Sequence, residues 1–205
     1  RAPSIETMLD VAQLCIACGP PSGCDVGLLS ISGGIGVLMA DVASASGLGL
    51  PEFPPGVLGA VADTLPAAAG ANPIDTTANV VANMACFETL LCAIFEQTPV
   101  SAIVVYLAHM LRNAAQLPLV LDGLRRVRQA FPDRPLIVAM TMDPAVRDAL
   151  AAIGIPSYDD PSRAVNALAA AASLRKLAES ARPLPAIDTR QNRDLARGGG
   201  NEMET

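Results

Sequence analysis

Between Asp25 and Ala43 an apolar run passes through a glycine turn into a helical pattern, and this junction limits the folds open to the chain. Val26-Gly27-Leu28-Leu29-Ser30-Ile31 is short, mostly apolar and opened by Asp25, as expected of a central parallel strand buried on both faces. After Ser32-Gly33-Gly34-Ile35-Gly36, the residues Val37, Leu38, Ala40, Val42 and Ala43 supply the apolar side of a helix that carries Asp41 elsewhere on its surface. Glycines at such a turn permit positive φ and close approach of a ligand, while the N–H groups of the first helical turn lack intrahelical acceptors. Ser32, Gly33, Gly34, Ile35 and Gly36 are therefore a candidate phosphate site. Spacing alone leaves a second reading open, because many parallel-sheet proteins use such a turn only to pack a helix tightly.

The rest of the chain alternates strand and helix signals. Pro3 and Ser4 start a first helix, in which Ile5, Met8, Leu9, Ala12 and Ile16 recur at helical spacing until Gly19-Pro20-Pro21 stops it. Leu48-Gly49-Leu50-Pro51 reads as a short edge strand, where a proline costs little. Helices follow over residues 56–65 and from a polar turn at Asn72-Pro73-Ile74-Asp75 on toward Gln97, with Asp75 or a following Thr as cap. Ser101 to Leu107 is a third strand, Leu117 to Phe131 an amphipathic helix, and Pro135 to Met140 a fourth strand. Pro144 to Ala152 is a helix, Gly154-Ile155-Pro156 a fifth strand, and Asp160-Pro161-Ser162 opens a last long helix. Repeated right-handed crossovers of this kind give an α/β domain: a five-stranded parallel sheet with helices on both faces, flavodoxin-like in order. The strand at Val26 is expected in the middle, between those at Leu48 and Ile103.

Composition narrows the function classes. Of the 205 residues 51% are hydrophobic and 17% charged, enough to bury one sizeable core. Asp41, Asp63, Asp75, Glu88, Glu96 and Arg112 interrupt every apolar run before it could span a bilayer, so no membrane segment is expected. A net charge of -6, no basic block, and only four Phe, two Tyr and no Trp argue against nucleic acid. Cys15, Cys18, Cys24, Cys86 and Cys92 lie mainly in helical patterns and read as buried thiols in a reducing, cytoplasmic compartment rather than as a zinc or redox site. The single histidine, His109, follows the third strand and has the chemistry of a phosphate carrier, but a loop or wall residue is the plainer reading. No metal site is expected. Three segments follow: residues 1–24 as a leading helix and loop, 25–181 as the flavodoxin-like domain, and 182–205, rich in Arg, Pro and Gly, as a linker.

The motifs Ser32-Gly33-Gly34-Ile35-Gly36-Val37-Leu38 with Ala40-Asp41, then Asn72-Pro73-Ile74-Asp75, then the strands at Ile103 and Pro135, and finally Gly154-Ile155-Pro156 with the helix from Asp160, resemble the interior of NDP-forming acyl-CoA synthetases. These are fused relatives of succinyl-CoA synthetase and include ADP-forming acetate:CoA ligase. The similarity runs in order from about Ser4 to Ala178, and Glu202-x-Glu204 looks like the opening of an ATP-grasp segment.

Such enzymes place a CoA-binding domain and a phosphohistidine domain with a Ser-His-Thr-Gly motif upstream of this one, and an ATP-grasp domain downstream, in one chain or in separate subunits. They make acyl-CoA from a carboxylic acid, CoA and ATP through a phosphohistidine and an acyl phosphate. The resemblance implies that this chain is the second flavodoxin-like domain, whose helix from near Gly34 docks the phosphohistidine. His109 lacks the Ser-His-Thr-Gly setting, so the chain would hold no catalytic residue of its own and be inactive alone. It would bind no cofactor by itself, with ATP, Mg and CoA expected for the complete enzyme, and a homo-oligomer is compatible with this scheme. A phosphohistidine brings about two negative charges, which a helix N-terminus can meet with its partial positive charge and free N–H donors. Asn72 and Asp75 are expected to line that crevice. The competing reading is a non-catalytic acyl-CoA-sensing or assembly module, such as the synthetase-like part of a protein acetyltransferase.

Overall fold

The computed structural model describes residues 4–65, 67–77, 84–109 and 117–180. Helix α1 (Ile5–Cys18) starts at Ser4, whose side chain accepts a bond from the Thr7 N–H, and ends at Gly19 with φ of 75°. Strand β1 (Val26–Ser30) leads through Ile31 and Ser32 into helix α2 (Gly33–Ala45), and helix α3 (Pro55–Thr64) follows. Then come β2 (Ile74–Asp75), α4 (Met84–Gln97), β3 (Ala102–Ala108), α5 (Leu117–Ala130), β4 (Leu136–Met140), α6 (Pro144–Ala152), β5 (Ser157–Tyr158) and α7 (Pro161–Ser180).

The strands form one sheet in the order β2-β1-β3-β4-β5, and all four pairings are parallel. This is the expected flavodoxin-like arrangement, and successive side chains along each strand serve opposite layers. On one face Leu29, Ile103, Val105, Leu136 and Val138 meet α3, α4, α5 and α6 through residues such as Val57, Phe87, Leu91, Leu124 and Leu150. On the other, Val26, Leu28, Val104, Ile137 and Ala139 meet α1, α2 and α7 through Leu14, Met39, Val165 and Leu168. Burial on both faces explains why β1 and β4 are buried at every position.

Three expectations are corrected. The edge strand beside β1 is Ile74–Asp75, not Leu48–Leu50: Gly49 makes a single parallel bridge to Asp25 before Pro51 interrupts the ladder, and Ile74 lies opposite Leu29. The strand order therefore puts β3, rather than β1, in the middle of the sheet. The fifth strand begins after Pro156, whose carbonyl accepts the Val138 N–H at 3.1 Å, so pairing continues at Ser157 and Tyr158. The linker over 182–205 and the Glu202-x-Glu204 motif lie outside the described residues. Among the described residues no helix is long and apolar enough to cross a membrane.

Candidate functional site

In the order β2-β1-β3 the chain's progress across the sheet reverses next to β1, and in open parallel sheets ligands bind beyond the strands' carboxyl ends at such a point. The exit of β1 is fixed there on both sides. Ser30 O accepts from the Thr76 N–H at 2.7 Å and the Thr76 hydroxyl at 3.1 Å, while the Ile31 N–H donates to Tyr106 O at 3.3 Å. The Ser30 hydroxyl closes the turn, donating to Ser32 O at 2.7 Å and accepting from the Ser32 N–H at 3.0 Å.

Ser32 is the N-cap residue of α2, in extended geometry, and its side chain makes no capping bond. The first helical bond runs from the Gly36 N–H to Ser32 O at 2.9 Å. Gly36 is therefore not a free donor, contrary to the simplest reading of the motif. Among the described residues none accepts the N–H groups of Gly33, Gly34 or Ile35. Gly33 and Gly34 are exposed, and a Cβ on Gly34 would meet nothing within 4 Å.

The two motifs that are far apart in sequence meet at this turn. A Cβ on Gly36 would sit 3.5 Å from Pro73 Cγ, and one on Gly33 would sit 3.0 Å from Asp75 Oδ2. The other oxygen of Asp75 accepts the Thr77 N–H at 2.9 Å. Asn72 is engaged inside the fold: its Oδ1 accepts the Leu28 N–H at 3.0 Å, and its Nδ2 donates to Val26 O at 2.9 Å and Pro51 O at 3.0 Å. Of the two residues expected to line the crevice, Asp75 reaches the first turn of α2 and Asn72 supports it from behind. Thr76, buried and bonded to Ser30 O, was not foreseen, although its place directly after the N-P-x-D motif is the signal that could have found it.

Thr77 and Ala108 both have positive φ, 54° and 50°, at the carboxyl ends of β2 and β3. Left-handed geometry in non-glycine residues costs roughly 1 to 3 kcal/mol each and concentrates at functional edges. His109 is an exposed turn residue directly after β3, on this same edge. The five cysteines are half-buried and form no disulfide among the described residues, with Cys15, Cys18 and Cys24 packed against the core. Burial pushes the Cys18 thiol up to about 11, which keeps it protonated and unreactive at neutral pH. Among the described residues no group of three His, Cys, Asp or Glu side chains is placed to hold a metal ion.

No family model and no curated protein matches the chain. Solved structures do. PH0766 from Pyrococcus horikoshii OT3 superposes with a TM-score of 0.73 at 22% identity, over 85% of this chain and 41% of its own. The apo form of the dinucleotide-forming acetyl-coenzyme A synthetase 1 of Ca. Korarchaeum cryptofilum gives 0.71 at 24% identity, over 88% and 41%. The same synthetase in complex with phosphate and ADP gives 0.69 at 25% identity, over 88% and 40%. The chain thus spans about two fifths of the length of these neighbours, and in fold it is the counterpart of one α/β domain within the dinucleotide-forming acetyl-CoA synthetase.

Proposed function

We propose that this chain is the phosphohistidine-docking domain of an acid-CoA ligase, which makes acyl-CoA from a carboxylic acid, CoA and ATP and releases ADP and phosphate. The observation that supports it most is the first turn of α2, where the N–H groups of Gly33, Gly34 and Ile35 have no acceptor among the described residues and open space lies over Gly34. A phosphoryl group on a neighbouring domain's histidine needs donors but no transferable proton, and backbone N–H groups at a helix N-terminus supply them without lysine or arginine. Ser32 adds a hydroxyl that makes no capping bond.

Asp75 shapes the approach. Its carboxylate occupies the Gly33 side of the turn, so a phosphoryl group enters over Gly34, where a side chain would otherwise stand. The small residues keep that path clear. In the complete enzyme ATP with Mg supplies the phosphoryl group and CoA accepts the acyl group; CoA-binding and phosphohistidine domains upstream and an ATP-grasp domain downstream hold them, in the same chain or another subunit.

Amide resonances report the site directly in the chain as it stands. Titration with phosphoramidate, a small mimic of the phosphohistidine N–P bond, should shift the Gly33, Gly34 and Ile35 amides and leave the β4 amides unmoved. Gly34→Glu should abolish the shifts by filling the path and adding a like charge. Shifts spread evenly over the surface, or unchanged by Gly34→Glu, would remove the support for docking at this turn.

A further inference from the structure

A carboxylate stands beside the first turn of α2, where an anion is expected to dock. Asp75 is held there by backbone and side chain alike. On one side its backbone lies in parallel register with Ser30 of β1, and on the other its N–H donates to Ala69 O at 2.8 Å while its carbonyl accepts the Ala69 N–H at 2.9 Å. The Thr77 N–H donates to Oδ1 at 2.9 Å, which leaves Oδ2 against α2, 3.0 Å from where a Cβ on Gly33 would stand. Among the described residues Asp75 is in no ion pair, so no paired cation offsets its charge.

Negative charge is the wrong sign for a site that has only to hold phosphate. The positive end of a helix is worth about half an elementary charge, and a carboxylate beside it cancels much of that field. Oδ2 accepts no N–H of α2 among the described residues, so the acid is not a cap for the helix. The N–H groups of Gly33, Gly34 and Ile35 still donate to an incoming anion, which they then hold loosely. A phosphohistidine on a neighbouring domain tolerates this weakness, because its tether supplies an effective concentration in the mM range. Free phosphate, released by the same proposed reaction, arrives from solution without a tether and meets the same repulsion.

Resting on the docking role above, we propose that Asp75 is the specificity-determining residue of the turn: by like-charge repulsion it keeps free dianionic phosphate off α2 and reserves the place for a phosphoryl group carried on protein. The effect scales with the charge of the visitor. A unit charge within one Debye length of a dianion at a protein surface changes its affinity roughly three- to tenfold. For a monoanion the repulsion is halved, so the factor is about the square root of that.

Amide titrations of the 205-residue chain at neutral pH and constant ionic strength test this. The probes are inorganic phosphate and two other tetrahedral anions, sulfate with two charges and perchlorate with one. Asp75→Asn removes the charge and keeps an oxygen for the Thr77 N–H. It should tighten phosphate and sulfate at the Gly33, Gly34 and Ile35 amides roughly three- to tenfold, and perchlorate by about the square root of that factor. Asp75→Ser, whose hydroxyl can also accept from the Thr77 N–H, should rank the anions in the same way and carries the comparison if Asp75→Asn does not fold. Equal tightening of sulfate and perchlorate would overturn the proposal, since relief of a steric block ignores charge. Affinities equal to wild type in both variants, with phosphoramidate still shifting the wild-type amides, would overturn it and leave the docking role standing. Amides that respond to no anion in wild type or variants would overturn both.

Discussion

Asp75 and Gly33 are built against each other: the carboxylate oxygen Oδ2 lies 3.0 Å from where a Cβ on Gly33 would stand. The acid lies by the positive end of α2, a favourable place for it, and its second oxygen is held by the Thr77 N–H at 2.9 Å. A methyl group at Gly33 must push this carboxylate and strain its bond to Thr77. Gly33→Ala should therefore cost about 1 kcal/mol. Gly34→Ala meets nothing within 4 Å and Gly36→Ala meets Pro73 and Ser30 carbons at ordinary contact distances of 3.5 to 3.7 Å. Both replace glycine in a helix, so they should be neutral or stabilise by up to about 1 kcal/mol. Urea midpoints in which Gly34→Ala falls below Gly33→Ala would contradict this geometry.

This pairing also shows how far the sequence was legible. The apolar runs at Val26, Ile103 and Leu136 became strands because burial on both faces demands unbroken hydrophobicity, a signal independent of the partner strand. Ile74–Asp75 became a strand against its local pattern, since two residues beside a proline carry no periodicity and owe their conformation to β1. The α1 stripe was legible as helical spacing but not as outward-facing. Periodicity shows that a helix has an apolar side, and only tertiary structure shows that Val11 and Leu14, on the other side, meet the core. At the candidate site the glycines were plain from the turn chemistry. That Asn72 is consumed by β1 while Asp75 reaches α2 depended on the path of the intervening chain.

Asn72 substitutes for a strand's worth of pairing at the lower edge of β1. Its amide satisfies the Leu28 N–H and two carbonyls, those of Val26 and Pro51. Removing it leaves three backbone groups to find water at a half-buried position, so Asn72→Ala should lose about 2 to 4 kcal/mol in denaturant unfolding. Asn72→Asp should be at least as costly at neutral pH, because a carboxylate oxygen then faces two carbonyl oxygens. Its deficit should shrink near pH 4, at about which a side-chain carboxyl begins to take up its proton and can donate again. Equal stability of Asn72→Ala and wild type would show that the bonds contribute nothing net.

Alkaline pH should weaken the domain through Cys18. Burial is the largest cause that raises this thiol from the ordinary 9.0 to about 11; the nearby Arg128 lowers it and Cys15 raises it a little. The fold therefore favours the neutral thiol, and the stabilisation is complete below pH 9.0, where the unfolded chain also keeps its proton. It is lost as pH rises through the window up to about 11, a change of at most about 3 kcal/mol. Tyr158, whose hydroxyl donates to Asp10 O at 2.7 Å, is raised by burial as well and acts in the same direction at higher pH. Thermal midpoints measured across this range should fall for wild type and fall less for Cys18→Ala. Parallel curves for the two proteins would assign the alkaline loss elsewhere.

On the proposed docking role, the chain alone and an assembled ligase differ in their chemistry. His109 is an exposed turn residue with no Ser-His-Thr-Gly setting, so the chain incubated with ATP and Mg should form no acyl-CoA and acquire no acid-labile phosphate. Label on His109 would reverse the division of roles, making this domain the carrier rather than the dock. In an assembled ligase, Gly34→Glu should leave the domain folded, because the site has open space for a side chain. It should still cut phosphoryl transfer by at least tenfold, since a carboxylate placed against a dianion costs more than 1.4 kcal/mol once water is excluded. Gly34→Ala separates steric from electrostatic obstruction: a methyl group adds bulk without charge and should cost much less than the acid. If both variants transferred phosphate at the wild-type rate, the turn would serve only to pack α2 against Pro73, with the exposed N–H groups facing solvent throughout the cycle.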